Sequence, residues 1–218
     1  MLTVKNLTHW YGKSEKPLYE NVNLSFESDK VYTIVGSSGS GKTTFLSFIA
    51  GLDKPHKGDI FLDGTNIKKL GATNYRKHKV AIVFQQYNLL TYMSALDNIM
   101  TALSVTDSEH KGEKQYALDA LKNVGIEKSD AEKNVQKLSG GQQQRVAIIR
   151  AMLVDANIVI ADEPTGNLDG ENSKMIIKLF QDLAHAHHKT VIIVTHDPEI
   201  ADHGDVKISL ENRQFVVA

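Results

Sequence analysis

The sequence predicts an α/β fold with a mostly parallel core sheet, an N-terminal antiparallel β-layer and an inserted helical subdomain. Four short apolar runs, rich in β-branched residues, predict the core sheet: residues 31–35, 80–84, 158–161 and 191–195. Runs without polar alternation are typical of strands buried on both faces of a parallel sheet. Alternating patterns near the N-terminus and helical periodicity in the middle of the chain predict the other two parts.

The antiparallel layer is predicted from the first thirty residues and from residues 58–64, where polar and apolar residues alternate between turn residues. Such patterns are typical of strands with one face exposed. The helical subdomain is predicted between residues 94 and 134. One helical face there repeats at Ala117, Ala120, Leu121 and Val124. It stops at Gly125, and glycine commonly follows the last turn of a helix.

These elements predict one domain over residues 1–218. A core at residues 1–86 and 155–218 would surround a helical subdomain at about 87–154. Each apolar run is followed by polar or glycine-rich residues that can bind a ligand or take part in a reaction. These residues therefore lie at the carboxyl ends of the strands. Ligands of open α/β sheets bind along that edge. We therefore expect the functional site there.

Composition excludes several classes of function. The net charge is −1 and no run of five like charges occurs, so we expect no nucleic-acid partner. With zero cysteines, disulfides and thiolate metal sites are excluded, which is compatible with the cytoplasm. No apolar run approaches the ~20 residues that span a bilayer, and residues 1–10 lack a signal pattern. Any membrane component must belong to another chain.

A glycine-rich segment follows the first apolar run. Residues 36–43, GSSGSGKT, match G-x-x-x-x-G-K-[ST] and precede a helix-like stretch at 43–52. Glycines let backbone N–H groups surround phosphates at a helix N-terminus, which predicts a P-loop NTPase. Lys42 would meet the β- and γ-phosphates, and the Thr43 hydroxyl would join a Mg²⁺ shell. The predicted nucleotide-binding residues are Gly36, Ser37, Ser38, Gly39, Ser40, Gly41, Lys42, Thr43 and Thr44.

Two adjacent carboxylates end the third apolar run. Alternation along a strand aims Asp162 and Glu163 in different directions, which allows different roles. Asp162 is the candidate for holding Mg²⁺, through water, because it occupies the position of the second acidic element of P-loop enzymes. Glu163 is then the candidate base for the attacking water. The alternative, two solvated charges at a strand end, is disfavoured by the tight Pro164-Thr165-Gly166 loop that follows.

A second glycine-rich helix start lies further along the chain. Residues 138–145 read LSGGQQQR, in which Ser139 and Gln142 have the spacing of a capping box. Val146, Ile149 and Leu153 continue one apolar face of the predicted helix. Its N-terminal amides should therefore point outward from the helical subdomain.

Three segments, GSSGSGKTT, LSGGQQQR and IVIADEPTGNLD, in this order resemble the ATP-binding-cassette (ABC) ATPases over essentially the whole chain. The resemblance implies ATP and Mg²⁺ as cofactors and a homodimer of cassettes in the ATP-bound state. Ser139, Gly140 and Gly141, together with Gln142, would complete the ATP site of the other subunit. A capped helix start can add anion-binding amides to a partner's phosphate, and closure would exclude water.

The resemblance also implies roles for four further residues. Tyr11 resembles the aromatic residue that stacks on adenine, although a Trp-Tyr pair is more often ordinary packing. Gln85, with Gln86 as a weaker candidate, resembles the glutamine that contacts Mg²⁺ and the attacking water. Asp169 ends a segment, residues 166–169, that resembles the loop linking the two ATP sites of the dimer. A helix N-cap before residues 175–183 is an equally good local interpretation of Asp169. His196 resembles the histidine that donates to the γ-phosphate.

Residues 85–93 are the candidate contact with a membrane subunit, because in this family the region receives a short helix from that subunit. Packing of Leu89, Leu90 and Met93 within the helical subdomain is an equally good interpretation. The motifs most resemble the subfamily of macrolide or antimicrobial-peptide efflux, lipoprotein release and cell-division signalling. That implies a separately encoded permease, with or without an adaptor protein, and a position at the cytoplasmic face of the membrane.

Two functions remain open from the sequence. One is an export or extrusion ATPase for peptides, lipids or amphipathic drugs. The other is mechanotransmission that regulates envelope enzymes or peptide resistance without transport. A chromosome-maintenance ATPase is disfavoured, since Gln85 and Ser139 are only about fifty residues apart, too few for a long coiled coil. The chain ends soon after residues 213–217, so we expect no appended regulatory domain.

A local histidine cluster is the remaining candidate feature. His185, His187 and His188 could suggest a metal site, but a solvated helix end is the favoured interpretation. The chain departs from the family pattern at Ile149, where alanine is common. It departs again at Glu211-Asn212, in a turn that often contains Asp-Gly.

Overall fold

The computed structural model describes residues 1–12, 17–166 and 170–217. Its core is a six-stranded sheet in the order β10-β9-β3-β8-β7-β6. The strands are β3 (Lys30–Val35), β6 (Val80–Val83), β7 (Ile158–Asp162), β8 (Thr190–Thr195), β9 (Val206–Glu211) and β10 (Gln214–Val217). All neighbouring pairs are parallel except β9 and β10. The predicted α/β class is confirmed.

The strand register brings the chemically important residues to one edge of this sheet. Val35 pairs with Thr195, Asp162 with Val194, and Val83 with Ala161. The carboxyl ends of β3, β8, β7 and β6 therefore lie side by side. Because parallel strands end at the same edge, the segments that follow them meet there.

The predicted antiparallel layer is a four-stranded sheet in the order β2-β1-β4-β5. Its strands are β1 (Leu2–His9), β2 (Tyr19–Phe26), β4 (Lys57–Leu62) and β5 (Thr65–Asn66). Leu2, Leu7 and Phe26 are fully buried and share one hydrophobic cluster with Phe45 and Phe48 of helix α1 (Lys42–Ile49). This cluster fixes the layer against the helix that follows the glycine-rich loop.

Four helices occupy the middle of the chain: α4 (Ala95–Val105), α5 (Lys114–Asn123), α6 (Lys128–Ala131) and α7 (Gly140–Met152). They share a separate hydrophobic cluster, which includes Ile99, Leu121 and Val146. As expected, Gly125 follows α5 with a φ of 73°. The boundaries proposed for this subdomain, at about residues 87 and 154, stay a prediction.

The remaining helices complete the layers around the core sheet. They are α2 (Ile67–Leu70), α3 (Ala72–His78), α8 (Gly170–His185) and α9 (Pro198–Ala201). A short 3₁₀ turn, Val135–Lys137, precedes α7. Within the described ranges, no helix is both long enough and apolar enough to cross a membrane.

Three local expectations differ from the structure. The helix expected at residues 43–52 ends at Ile49, because Gly51 has a left-handed φ of 66°, which does not continue an α-helix. The helix expected at 175–183 begins earlier, at Gly170. The turn between β9 and β10 is centred on Asn212 and Arg213, at φ 48° and 68°, one residue later than expected.

Candidate active site at the carboxyl edge of the core sheet

A cavity of about 560 Å³ lies at the edge where the parallel strands end. Its walls come from the β1–β2 connection, the glycine-rich loop, the start of α1 and the ends of β6, β7 and β8. The lining residues are Tyr11, Leu18, Ser38, Gly39, Gly41, Lys42, Thr43, Thr44, Gln85, Glu163 and His196. All but Leu18 are predicted site residues, so the structure brings residues distant in sequence together in one cavity.

The glycine-rich loop approaches its neighbours too closely for side chains at two positions. A Cβ on Gly36 would lie 2.7 Å from the Leu210 carbonyl oxygen. Gly41 has a φ of 105°, and a Cβ there would lie 2.8 Å from Leu18. Glycine alone fits both positions. The loop can therefore present backbone N–H groups to an anion at the start of α1.

The Lys42 ammonium is folded against this loop. Nζ donates hydrogen bonds to the Gly36 carbonyl at 2.8 Å and the Ser37 carbonyl at 3.1 Å. The side chain is only 7% exposed, so these carbonyls compensate part of its lost hydration. A phosphate in the loop would offer stronger, charged acceptors within reach of the same ammonium.

Asp162 is the last residue of β7 and is buried, with 7% of its surface exposed. Oδ1 of its carboxylate has no hydrogen-bond partner within the described part of the chain, and the Thr43 side chain lies near enough to act on the pKa of this group. Burial raises the pKa of Asp162 and the charge on Glu163 raises it further, opposed by Thr43 and Lys42. A cation beside the unpaired oxygen would relieve this cost. The pair Thr43 and Asp162 therefore fits Mg²⁺.

Glu163 leaves the strand by a different route from Asp162. Its φ of 48° turns the chain out of the sheet, while its N–H still donates to the Val194 carbonyl at 2.9 Å. Oε2 accepts from Thr195 Oγ1 at 3.2 Å and from the His196 N–H at 3.3 Å. Oε1 lies 2.8 Å from His196 Nδ1. The carboxylate is thus oriented at the cavity wall, whereas the His196 side chain is 69% exposed.

The aromatic end of the cavity is formed by Tyr11. Its side chain is 59% exposed, and its hydroxyl lies 2.5 Å from Thr44 Oγ1. The ring contacts His9 edge to face, with centroids 5.0 Å apart. His9 Nδ1 lies 3.0 Å from His56 Nδ1, and Trp10 stacks on His56. The sequence analysis missed His9 and His56, because two lone histidines 47 positions apart carry no local signal.

The second glycine-rich segment forms the start of α7, as predicted. Ser139 Oγ accepts the Gln142 N–H at 3.2 Å, and Gln142 Oε1 accepts the Ser139 N–H at 3.0 Å, which completes the capping box. Ser139 and Gly140 are exposed. None of Ser139, Gly140, Gly141 and Gln142 lines the described cavity of its own chain. The exposed amides are therefore available to a ligand held elsewhere.

Two polar contacts of α7 with neighbouring loops were also missed. Gln144 Nε2 donates to the carbonyl of Pro164, directly after Glu163. Arg150 donates from Nη1 to the Asn88 carbonyl at 2.6 Å and from Nη2 to the Tyr87 carbonyl at 3.0 Å, two residues beyond Gln85. In the sequence, Gln144 and Arg150 are merely polar residues within the predicted helix, and nothing in their spacing indicates a partner.

Two further expectations complete the comparison with the sequence. Asp169 lies outside the described residues. His185 Nε2 lies 2.9 Å from Asp205 Oδ2, and His188 pairs with Asp29, so both histidines have carboxylate partners that the sequence did not reveal. No group of three potential metal ligands occurs within the described ranges.

Comparison with known proteins identifies what this arrangement resembles. A family model described as ABC transporter matches residues 19–166. An ABC transporter ATP-binding protein of Bacillus subtilis strain 168, YclH, is 51% identical over 217 residues, which cover 100% of this chain and 96% of the relative. The macrolide export ATP-binding/permease protein MacB of Haemophilus ducreyi is 36% identical over 99% of this chain but only 32% of its own length.

Solved structures that match this chain are also ATP-binding cassettes. The ATP-binding cassette MJ0796, from Methanocaldococcus jannaschii, was solved as a dimer in a post-hydrolysis state bound to ADP and Pi. It matches with a TM-score of 0.91 and 36% identity, covering 100% of this chain and 98% of that one. A second dimeric structure of MJ0796 matches with a TM-score of 0.89 and 37% identity, over 99% and 96% of the two chains.

Proposed function

This chain belongs to the ABC transporter family of ATP-binding proteins, and from that premise we propose that it energises export or extrusion through a separate membrane subunit. Membership identifies an ATPase subunit. The proposed cargo is a peptide, a lipid or an amphipathic drug. The observation that carries the proposal is the single cavity shared by Lys42, Glu163 and His196, together with the capped start of α7, which does not line that cavity and is exposed.

The chain's own residues provide the steps of hydrolysis. Tyr11 offers an exposed ring for adenine stacking, and the loop amides with Lys42 hold the phosphates. Glu163 is oriented by Thr195 and His196, so its carboxylate can take the proton of the water that attacks the γ-phosphate. His196 can turn from Glu163 toward the γ-phosphate because its side chain is exposed. Gln85 lies in the same lining and can orient that water.

Thr43 and Asp162 are the residues that would hold Mg²⁺. When bound, the ion would neutralise charge on the β- and γ-phosphate oxygens. The unpaired Oδ1 of Asp162 and its contact with Thr43 support this assignment.

The second copy of the chain completes the site in this proposal. Gly140 and Gly141 would direct their N–H groups, and Ser139 its hydroxyl, at the γ-phosphate held by the other subunit, with Gln142 closing the cap. The dimeric MJ0796 structures, which match over almost the whole chain, support this arrangement. We propose that Asp169 contributes to the same dimer contact.

The proposed contact with the membrane subunit is the segment of residues 85–93. Asn98 holds this segment, since its Oδ1 accepts the Leu90 N–H at 2.7 Å and its Nδ2 donates to the Leu90 carbonyl at 3.1 Å. Leu89 packs against the helical cluster, whereas Tyr92 is 75% exposed. A fixed segment that presents one aromatic ring fits a docking site at the cytoplasmic membrane face.

The experiment uses the chain with its separately encoded membrane subunit, reconstituted in inside-out vesicles. ATP should drive uptake of a labelled macrolide, peptide or lipid, and Tyr92→Ala should abolish copurification. Val105→Ala, another exposed apolar position at 61%, serves as the control. ATP hydrolysis stimulated by the partner without uptake of any cargo would contradict export and support mechanotransmission. Unchanged copurification of Tyr92→Ala would exclude residue 92 from the contact.

A further inference from the structure

Gln144 is a buried amide on a helix face that is otherwise apolar. Its side chain is 1% exposed, and it lies on α7 near the buried residues Val146 and Ile148. Nε2 donates to the Pro164 carbonyl, while Oε1 has no hydrogen-bond partner within the described part of the chain. Burying an amide that is only half satisfied costs free energy, whereas an apolar side chain of the same size would avoid that cost but leave the Pro164 carbonyl without this donor. Packing alone therefore does not explain a glutamine here.

The partner of Gln144 is directly connected to the proposed base. Pro164 follows Glu163, and its ring fixes its φ angle. Rotation about the N–Cα bond of Pro164 therefore cannot absorb a displacement of its carbonyl group. The Glu163 N–H is anchored to the Val194 carbonyl at 2.9 Å, and the Glu163 carbonyl accepts the Gly166 N–H at 3.3 Å. Glu163 is thus held between the core sheet on one side and α7 on the other.

The same helix begins with the exposed cap. Gln144 follows Ser139 by five positions, which places it roughly 7.5 Å along the helix axis. A hydrogen-bonded helix moves as a unit over this distance. A shift at Ser139 and Gly140, caused by a phosphate of a second copy, therefore reaches the Pro164 carbonyl through one side chain.

We propose that Gln144 is a positioning residue for Glu163 of the same chain. ATP bound by the second copy contacts the start of α7, and through Gln144 that contact sets the geometry of Glu163. This inference rests on the proposed roles of Glu163 and of the exposed start of α7. Each active site would become competent only when the other site holds ATP. Gln144 itself does not line the active-site cavity.

The test compares variants that separate the hydrogen bond from packing. Gln144→Met keeps the buried length and removes the donor. Gln144→Glu keeps the shape, and its carboxyl group can donate to the Pro164 carbonyl only when protonated. The matched control is Gln143→Met, because Gln143 is the same residue type one position away and donates to the carbonyl of Leu138, just before the helix, at 3.0 Å rather than to the Pro164 carbonyl.

Gln144→Met should lower kcat for ATP roughly 10- to 100-fold, with KM within about twofold of the parent. Combined with Glu163→Gln, it should still form an ATP-bound dimer. Gln144→Glu should recover turnover as pH falls, since burial favours the protonated carboxyl group. If Gln144→Met does not fold, the pH profile of Gln144→Glu decides alone. A parent-like kcat for Gln144→Met, or a Gln144→Glu profile that parallels the parent, would overturn the proposal.

The outcome is separable from a failure of the proposed function. Near-normal turnover of Glu163→Gln alone would remove Glu163 as the base. Turnover that depends on Glu163 but not on Gln144 would overturn only the positioning role.

Discussion

The cavity at the edge of the core sheet and the exposed start of α7 can both bind anions. They differ in how many of their polar groups have hydrogen-bond partners within their own chain. In the cavity, Lys42 is 7% exposed and bonded to two carbonyls, and Glu163 has partners in Thr195 and His196. At the start of α7, Ser139 and Gly140 are exposed, and the capping box satisfies only part of the helix end. The first region is a nearly complete site. The second is a set of donors without an acceptor.

The two regions also differ in chemistry. The cavity contains a lysine, carboxylates and a histidine, so it can transfer protons and stabilise charge. The start of α7 offers only serine, glycine, glutamine and backbone amides, which can bind an anion but cannot act as a base at neutral pH. The difference supports the proposal that a second copy adds anion-binding groups to a cavity that already contains the catalytic ones.

The largest effect is expected from removing the base of the cavity. Glu163→Gln keeps the size of the side chain but cannot accept a proton, so turnover should fall by about 100-fold or more. ATP binding should persist, and an ATP-bound dimer should accumulate. Steady-state hydrolysis and size-exclusion chromatography measure these two results. Glu199→Gln, at the exposed start of α9, is the control. Near-normal hydrolysis by Glu163→Gln would break the comparison, since the cavity would then lack its base.

A smaller effect is expected at the aromatic end of the cavity, and it should depend on pH. Burial lowers the pKa of His9 below the ordinary value of 6.5 and the neighbouring His56 lowers it further, while Asp53 opposes both. Below about pH 6.5, the unfolded chain therefore takes up a proton that the folded chain resists. Stability is present above that pH and is lost as the pH falls.

The measurement is the free energy of unfolding in urea at about pH 7.5 and about pH 5.5. The parent should lose more free energy of unfolding than His9→Phe over this interval, because only the parent has a His9 that resists protonation in the folded state. His187→Gln, at an exposed histidine, should behave like the parent. Equal losses for the parent and His9→Phe would show that His9 does not make the free energy of unfolding depend on pH.

The sequence predicts the features that are local and misses those made by tertiary contacts. The four apolar runs appear as β3, β6, β7 and β8, and the spacing of Ser139 and Gln142 predicts the capping box, because a few consecutive residues determine each feature. The end of α1 at Ile49 was missed although Gly51 gives the same local signal as Gly125, because the apolar residues continue to Leu52.

Tertiary contacts explain the missed residues of the site. His9 meets His56 across a loop, and Gln144 meets Pro164 between a helix and a strand end. Neither pair has a spacing that a sequence pattern could reveal. The roles of Tyr11, Gln85 and His196 came from the resemblance, and the structure adds that all three line one cavity. These roles stay predictions, as does that of Asp169.

The central claim is that the start of α7 serves the ATP of the other copy, and mixing variants tests it most directly. A Lys42→Ala chain and a Ser139→Arg chain, carrying different affinity tags, are copurified as a heterodimer. A second heterodimer joins an unaltered chain to one carrying both substitutions. If the site is shared across the dimer, the first heterodimer keeps one intact site and binds ATP there tightly, whereas the second has a defect in each site and binds ATP much more weakly. The reverse order would contradict the account, because α7 would then serve its own chain.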